Sequence, residues 1–329
     1  MSEIIIGVDL GGTRIRVAQL NHKLDILTRQ ETLTLAGEGL DSTIARIKQQ
    51  IRAALPTDGT NVTGIGISSP GPLNPVTGVI VSPPNLPGWH NVPLGDILHA
   101  EFGIPVYVGN DANVAALAET IRGAARGYRH VVFITISTGI GGGIIVDGKL
   151  LQGIEGLAAE AGQIILVIGE RVSTLEKEAA GPALARQART RIEAGESSTI
   201  YAMVGSDLNK IDGAIVGRAA QSGDALALDI VRYGGHMVGL GIASLLHLFN
   251  PEIIVLGGGV SQLGNLLIDP LREAMETYTI DEAYWRTLRI VPAKLGENVS
   301  IFGAGALVVT RGGVDDVAEV AARINAGDR

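Results

Sequence analysis

One short segment, Gly7-Val8-Asp9-Leu10-Gly11-Gly12-Thr13, combines a carboxylate, glycines and a hydroxyl. Glycines without side chains let backbone N–H groups approach phosphate oxygens, Thr13 adds a hydroxyl donor, and Asp9 can hold Mg²⁺ directly or through water. A plain hairpin turn that uses glycine for positive φ is the alternative. Ser137-Thr138-Gly139-Ile140-Gly141-Gly142-Gly143 repeats the grouping downstream. Two such hairpins, one in each half, point to a phosphate gripped between two domains. Gly257-Gly258-Gly259 follows an apolar run and precedes a helical pattern, so its flat backbone suits the side of an adenine or ribose as well as a simple strand-to-helix turn.

At Gly109-Asn110-Asp111-Ala112-Asn113 an apolar strand ends and an Ala-rich helix begins. Asp or Asn at a helix start is most often a cap. Asp111 also stands at the carboxyl end of a strand, beside a loop able to hold a substrate, which is where a general base belongs. One residue can cap while the other acts as base. Competing nucleotide motifs fail: no G-x-G-x-x-G occurs, and Gly143 to Lys149 matches phosphate-loop spacing only until Leu150 replaces the required Ser or Thr.

The elements that must position these residues alternate in type. Ile4 to Asp9 and Arg14 to Val17 read as a β-hairpin, Asp41 to Leu55 as a helix with apolar positions Ile44, Ile47 and Ile51, and Val62 to Ser68 as a strand. A loop rich in Pro, Gly and Asn runs from Ser69 to Trp89. Val106 to Val108 is a strand and Ala112 to Arg122 a helix. From His130 the opening pattern recurs: a strand at Val131 to Ile136, the Ser137 to Gly143 loop, and a strand at Ile144 to Val146 closed by an Asp147-Gly148 turn. Helices follow at about 175–194, 213–221, 225–249 and 266–278, with a strand at Ile253 to Leu256, and the tail has helical spacing from Val314 to Ile324. These predict a small N-terminal α/β domain over 1–120, which a C-terminal helix within 310–329 can join, and a larger α/β domain over 121–309. The hinge is expected near 119–125.

Composition excludes other chemistries. The 329 residues contain no cysteine, which removes disulfides, thiolate metal sites and cysteine nucleophiles. Against 34 acidic residues stand 26 basic ones, for a net charge of −8 without any compact basic run, so a nucleic-acid partner is not expected. No stretch reaches the roughly 18 apolar residues of a membrane span, and Met-Ser-Glu followed by a strand is no secretory signal. The expectation is a cytoplasmic protein with no membrane partner. The 45 glycines, about twice the usual share, read as turns and backbone-lined sites.

Taken together in this order, Asp9 to Thr13, the Asn110-Asp111-Ala112-Asn113 quartet, Ser137 to Gly143 and Gly257 to Gly259 resemble the ROK family (repressors, open reading frames, sugar kinases) over essentially the whole chain. The resemblance implies an α/β, two-domain actin-like ATPase (ribonuclease H-like) fold with an interdomain cleft. It implies ATP and Mg²⁺ as cofactors, with Asp9, Gly11, Gly12, Thr13, Thr138, Gly139, Gly141, Gly257, Gly258 and Gly259 around the nucleotide. Asp111 would be the catalytic base, and Gly71, Asn85, Asn110, Asp111, Glu160, Gln163 and Glu176 would line the sugar. Carboxylates suit that task because each accepts directional hydrogen bonds from a polyol. A homodimer is implied as well.

One departure stands out. Most family members have a histidine where this chain has Gln163, followed by three cysteines that complete a structural zinc site; here Val167 to Glu176 contains neither residue type. No structural zinc is expected, and packing must set the position of Glu176. The resulting expectation is a glucokinase-like hexose kinase. Fructose, N-acetylmannosamine or N-acetylglucosamine as substrate, polyphosphate as donor, a non-catalytic sugar sensor and a chaperone-like or filament-forming ATPase are the rivals.

Overall fold

The computed structural model describes residues 3–326. The opening Met-Ser and residues 327–329, the end of the predicted tail segment, lie outside the described residues. The chain forms two compact units interleaved in sequence: Met1–Val132, Gly143–Ala159 and Ala293–Arg329 make the first, and Phe133–Gly142 with Glu160–Pro292 the second. The first unit thus runs past the hinge expected at 119–125 and takes in more than the tail.

In the first unit, the predicted hairpin forms from β1 (Ile4–Leu10) and β2 (Arg14–Asn21), followed by β3 (Ile26–Leu33). Helix α1 (Leu40–Ala54) buries Ile44, Ile47 and Ile51, the stripe its spacing predicts. Strand β4 (Val62–Ser69) comes next. The segment expected as a plain loop from Ser69 to Trp89 contains a small hairpin, β5 (Leu73–Asn74) with β6 (Val79–Ile80), and Trp89 is buried in the core. Helix α2 (Leu94–Phe102), β7 (Val106–Asn110) and α3 (Asp111–Ile121) complete this stretch. The sheet runs β3-β2-β1-β4-β7, antiparallel across β3, β2 and β1 and parallel across β1, β4 and β7. Its register sets Asp9 beside Ser68, Ser68 beside Gly109 and Ser69 beside Asn110. The carboxyl ends of β1 and β7, on either side of β4, therefore carry Asp9 and Asn110, with Asp111 next in the chain.

Strands β8 (Val131–Ile136), β9 (Ile140–Val146) and β10 (Lys149–Leu150) follow. The loop expected from Ser137 to Gly143 is shorter than predicted, because Gly141 to Gly143 lie inside β9. A Cβ at Gly143 would sit 2.6 Å from the Ala112 carbonyl oxygen and 2.7 Å from the Ala116 methyl, so glycine there serves packing against α3 rather than a turn.

The second unit continues with the hairpin β11 (Ile165–Ile168) and β12 (Arg171–Thr174), then α4 (Leu175–Ala179) and α5 (Gly181–Glu193). The single helix expected over 175–194 is broken at Ala180, which has extended backbone and caps α5. Helices α6 (Ile200–Met203), α7 (Gly213–Gln221) and α8 (Ala225–Phe249) lead to β13 (Ile253–Gly257), α9 (Asn265–Tyr278) and β14 (Arg289–Pro292). The second five-stranded sheet has the order β10-β9-β8-β13-β14.

The chain then returns to the first unit as α10 (Val299–Val309) and α11 (Val317–Ile324). The segment expected as a tail helix from 314 begins with turns and is helical only from Val317. Helix α10 lies against β1, β4, β7 and α3. Glycines make that approach possible: a Cβ at Gly66 would fall 1.7 Å from the Ala304 carbonyl oxygen. Among the described residues, no helix is long and apolar enough to cross a membrane.

Candidate active site

In the first unit, Asp9 interrupts the buried run of β1 with its side chain 16% exposed, and Arg16 across the hairpin donates to its Oδ2 at 3.1 Å. Burial raises the Asp9 carboxyl above its usual range, and hydrogen bonds from Arg16 and Ser300 with the charge of Arg29 oppose that rise. The turn after it is closed by the Gly11 N–H donating to the Arg14 carbonyl at 2.9 Å, and Thr34 braces it through a 2.6 Å bond to the Gly11 carbonyl. Thr13 is exposed at the turn. A Cβ at Gly12 would meet the Cβ and carbonyl oxygen of Asn85, both at 2.9 Å, so the first glycine turn and a predicted sugar residue touch.

At the α3 start both cap and base candidates meet one N–H group. Asn110 is the N-cap, accepting from the Ala112 N–H at 3.0 Å. Asp111 Oδ1 accepts from the same N–H at 2.8 Å, and the residue is exposed. Gly71 sits against the Asn110 amide, where a Cβ would come within 2.6 Å of Nδ2. Gly71 and Asn85 thus lie in the segment between β4 and α2, while Asn110 ends β7 and Asp111 begins α3.

In the second unit, Thr138 and Gly139 form the turn between β8 and β9, and Gly141 is in the strand beyond it. Glu176 Oε2 accepts from the Ile140 N–H at 2.8 Å, and a Cβ at Gly139 would lie 2.6 Å from the same oxygen. A predicted sugar carboxylate is therefore seated on the second glycine turn. Glu160 begins the short 3-10 turn Ala161–Gln163; desolvation first, and then the Glu176 charge, raise its carboxyl above the usual range. Gln163 is exposed on that turn, its N–H bonded to the Glu160 carbonyl at 3.0 Å. Gly257 closes β13, and Gly258 has φ +85° with the Ile136 carbonyl oxygen 2.3 Å from where a Cβ would be, a position open only to glycine.

Ser137, Thr138 and Gly259 open onto a cavity of about 740 Å³, within the range of small-molecule sites. Its walls include the N-termini of α5 and α7, pressed together where a Cβ on Gly213 would lie 2.7 Å from the Gly181 Cα, and the Gly181 N–H donates to the Ser137 carbonyl at 2.8 Å. The α5 start has no N–H to spare, since Gly181 and Ala183 already donate to the Ser137 and Ala180 carbonyls and Pro182 has none. Arg186, Arg189 and Arg218 also line it and were missed by sequence reading. The i, i+3 spacing of Arg186 and Arg189 on one helix, and the Asp212-Gly213 start of α7, were the available signals.

Among the described residues, no group of three or more His, Asp or Glu side chains could hold a metal ion. Asp9 is the carboxylate at the first turn, and Arg16 already occupies Oδ2, which fits a Mg²⁺ held chiefly by phosphates and water with Asp9 touching its shell.

The ROK family pattern matches residues 5–311 of this sequence. The chain belongs to the ROK family. It is 37% identical over 314 residues to a glucokinase from Thermotoga maritima, covering 93% of this chain and 98% of that protein. A ROK family glucokinase from Streptomyces griseus, solved in complex with glucose and AMPPNP, matches with TM-score 0.76 and 32% identity over 92% of this chain and 98% of its own. A ROK hexokinase from Thermus thermophilus matches with TM-score 0.79 and 33% identity over 93% and 97%. The two mixed sheets are thus those of the actin-like ATPase fold.

Proposed function

We propose that this sugar kinase transfers the γ-phosphoryl group of ATP to the 6-hydroxyl of glucose. The observation that carries the reading is the 2.8 Å bond between Glu176 and the Ile140 N–H, which ties a hydroxyl-accepting carboxylate to a phosphate-type glycine turn. The proposal assigns the nucleotide to the cavity lined by Thr138 and Gly259, with Gly257 and Gly258 shaping its floor and Gly139 and Gly141 flanking the turn. Gly11, Gly12 and Thr13 provide donors to the phosphates. Asp9 would meet a nucleotide-bound Mg²⁺ through its water shell, and that ion would supply charge neutralisation at the phosphoryl oxygens.

In the same reading Glu160, Gln163, Glu176, Asn85 and Asn110 accept and donate hydrogen bonds around the sugar, with the Gly71 backbone beside them. Asp111 takes the proton from the 6-hydroxyl as that oxygen bonds to phosphorus and the ADP oxygen departs. The protein works as a homodimer and carries no structural zinc, since the stretch from Val167 to Glu176 offers neither cysteine nor histidine.

The test is ADP release measured over a hexose panel, including fructose and the N-acetylhexosamines, with ATP and then polyphosphate as donor. Glucose with ATP is expected to give the highest kcat/KM. Release that no sugar stimulates would replace the kinase reading with a sugar-binding, non-catalytic one. Metal analysis of the same sample checks the zinc statement, which stoichiometric zinc would contradict.

A further inference from the structure

We propose that Glu178, held by Arg171, Ser173 and Tyr233, is a positioning residue that fixes where Glu176 presents its carboxylate, so that hexose affinity depends on a clip that does not touch the sugar. The inference rests on the reading of Glu176 as a hexose ligand.

Helix α4 spans only Leu175–Ala179, far too short to hold an orientation by its own hydrogen bonds. Its N-cap bond, from the Lys177 N–H to Thr174 Oγ1, is a long 3.4 Å. Something outside the helix must therefore aim Glu176. Glu178 follows two positions later and so points away from the Glu176 side. It is a carboxylate with its side chain 4% exposed. Such burial is tolerated only when the oxygens are fully paired. They are: Oε1 accepts from Arg171 and from Ser173 Oγ at 2.5 Å, while Oε2 accepts from Tyr233 Oη at 2.7 Å and Arg171 Nη2 at 3.1 Å.

These donors come from two other elements, β12 and the long helix α8. The carboxylate thereby pins the underside of α4 to both. Leu175 adds an apolar anchor to α8, lying where a Cβ at Gly241 would be 2.6 Å from its Cδ2. Helix α5 holds the far end, with Arg186 donating to the Lys177 carbonyl at 2.5 Å and Gln187 to the Glu178 carbonyl at 3.2 Å. Glu176 leaves the helix on the other side, with Oε2 on the Ile140 N–H.

The clip also stays ionised. Chiefly through Arg171, the Glu178 carboxyl is drawn down to about 2, and burial with the Glu178 charge pushes the Tyr233 phenol up to about 12. Arg171 balances Glu178, so the cluster holds α4 without adding net charge near Glu160 and Glu176.

The experiment uses the full chain with Tyr233→Phe, Ser173→Ala and Glu178→Gln, alongside Glu176→Gln, measuring melting temperature and separate KM values for glucose and ATP. Loss of aim at Glu176 is expected to raise the glucose KM about tenfold in Glu178→Gln and a few-fold in Tyr233→Phe, with the ATP KM changed less than about threefold. Lower melting temperatures with glucose KM unchanged would overturn the clip, leaving it a fold-stabilising cluster only. If Glu178→Gln does not fold, the Tyr233→Phe and Ser173→Ala values decide. Glu176→Gln separates the two readings: a raised glucose KM there with none in the clip variants overturns the clip alone, and no change there overturns the hexose assignment together with it.

Discussion

Glu176 Oε2 lies 2.8 Å from the backbone nitrogen of Ile140, so one side chain completes the second glycine turn while keeping Oε1 for another partner. Glutamine at this position keeps an acceptor for the Ile140 N–H but loses the charge that the proposed sugar contact uses. Leucine loses both. Glu176→Gln is therefore expected to raise the glucose KM by about tenfold or more with little change for ATP, and Glu176→Leu to raise both. Steady-state kinetics with each substrate varied in turn checks this; equal effects of the two variants on ATP would disconnect the side chain from the turn.

In the proposed reading Asp111 is the base, although Asn110 and Asp111 both accept from the Ala112 N–H at the start of α3. Asp111→Asn preserves the oxygen that accepts from the Ala112 N–H. A fall in kcat of about 10²- to 10⁴-fold is expected, with glucose affinity by calorimetry within about threefold of the parent. Turnover close to the parent value would remove Asp111 from the base role.

Gly12 touches Asn85 so closely that a methyl group cannot enter without moving one of them. Gly12→Ala is expected to raise the KM for ATP and for glucose together, and to cost about 1–3 kcal/mol of stability by overpacking. Kinetics paired with chemical denaturation tests it. An effect confined to ATP would place Asn85 away from the sugar.

Acid stability should report on Glu178. Its folded carboxyl lies at about 2 against an ordinary 4.5, so its stabilising contribution is fully present above 4.5 and lost as pH falls from there toward 2. The parent is expected to exceed Glu178→Gln by at most about 3 kcal/mol near neutrality, the gap closing across that window. Denaturation of both proteins from pH 7 to 2 measures it, and a gap independent of pH would contradict the Arg171 pairing.

The features legible in the sequence were those with local signatures. Helix α8 was readable at Ala225 to Phe249 because Asp224 caps it and Asn250 ends it in the left-handed region. The hairpin around Gly11 and Gly12 was equally plain. Helix α10 was not, because it is apolar nearly all round and so has no periodic stripe. Strand β3 was missed for the opposite reason: its mostly exposed, polar positions at the sheet edge resemble a loop. Gly141 to Gly143 were assigned to a turn because glycine marks turns far more often than flat strand, and the reason for Gly143, the back of α3, is distant in sequence. The Glu178 cluster was invisible for the same reason, since Tyr233 lies 55 positions away.

The return of α10 to the first unit has a consequence for synthesis. A ribosome releases β1, β4 and β7 early and the helix that covers them only at the end, after every element of the second unit. Until then Gly64 and Gly66 present bare backbone where Val308 and Ala304 will later lie. The earliest sheet to be made must therefore wait, incompletely covered, for the last part of the chain, while the second unit already has all its strands and helices. A chain stopped before residue 299 would leave that apolar face without α10.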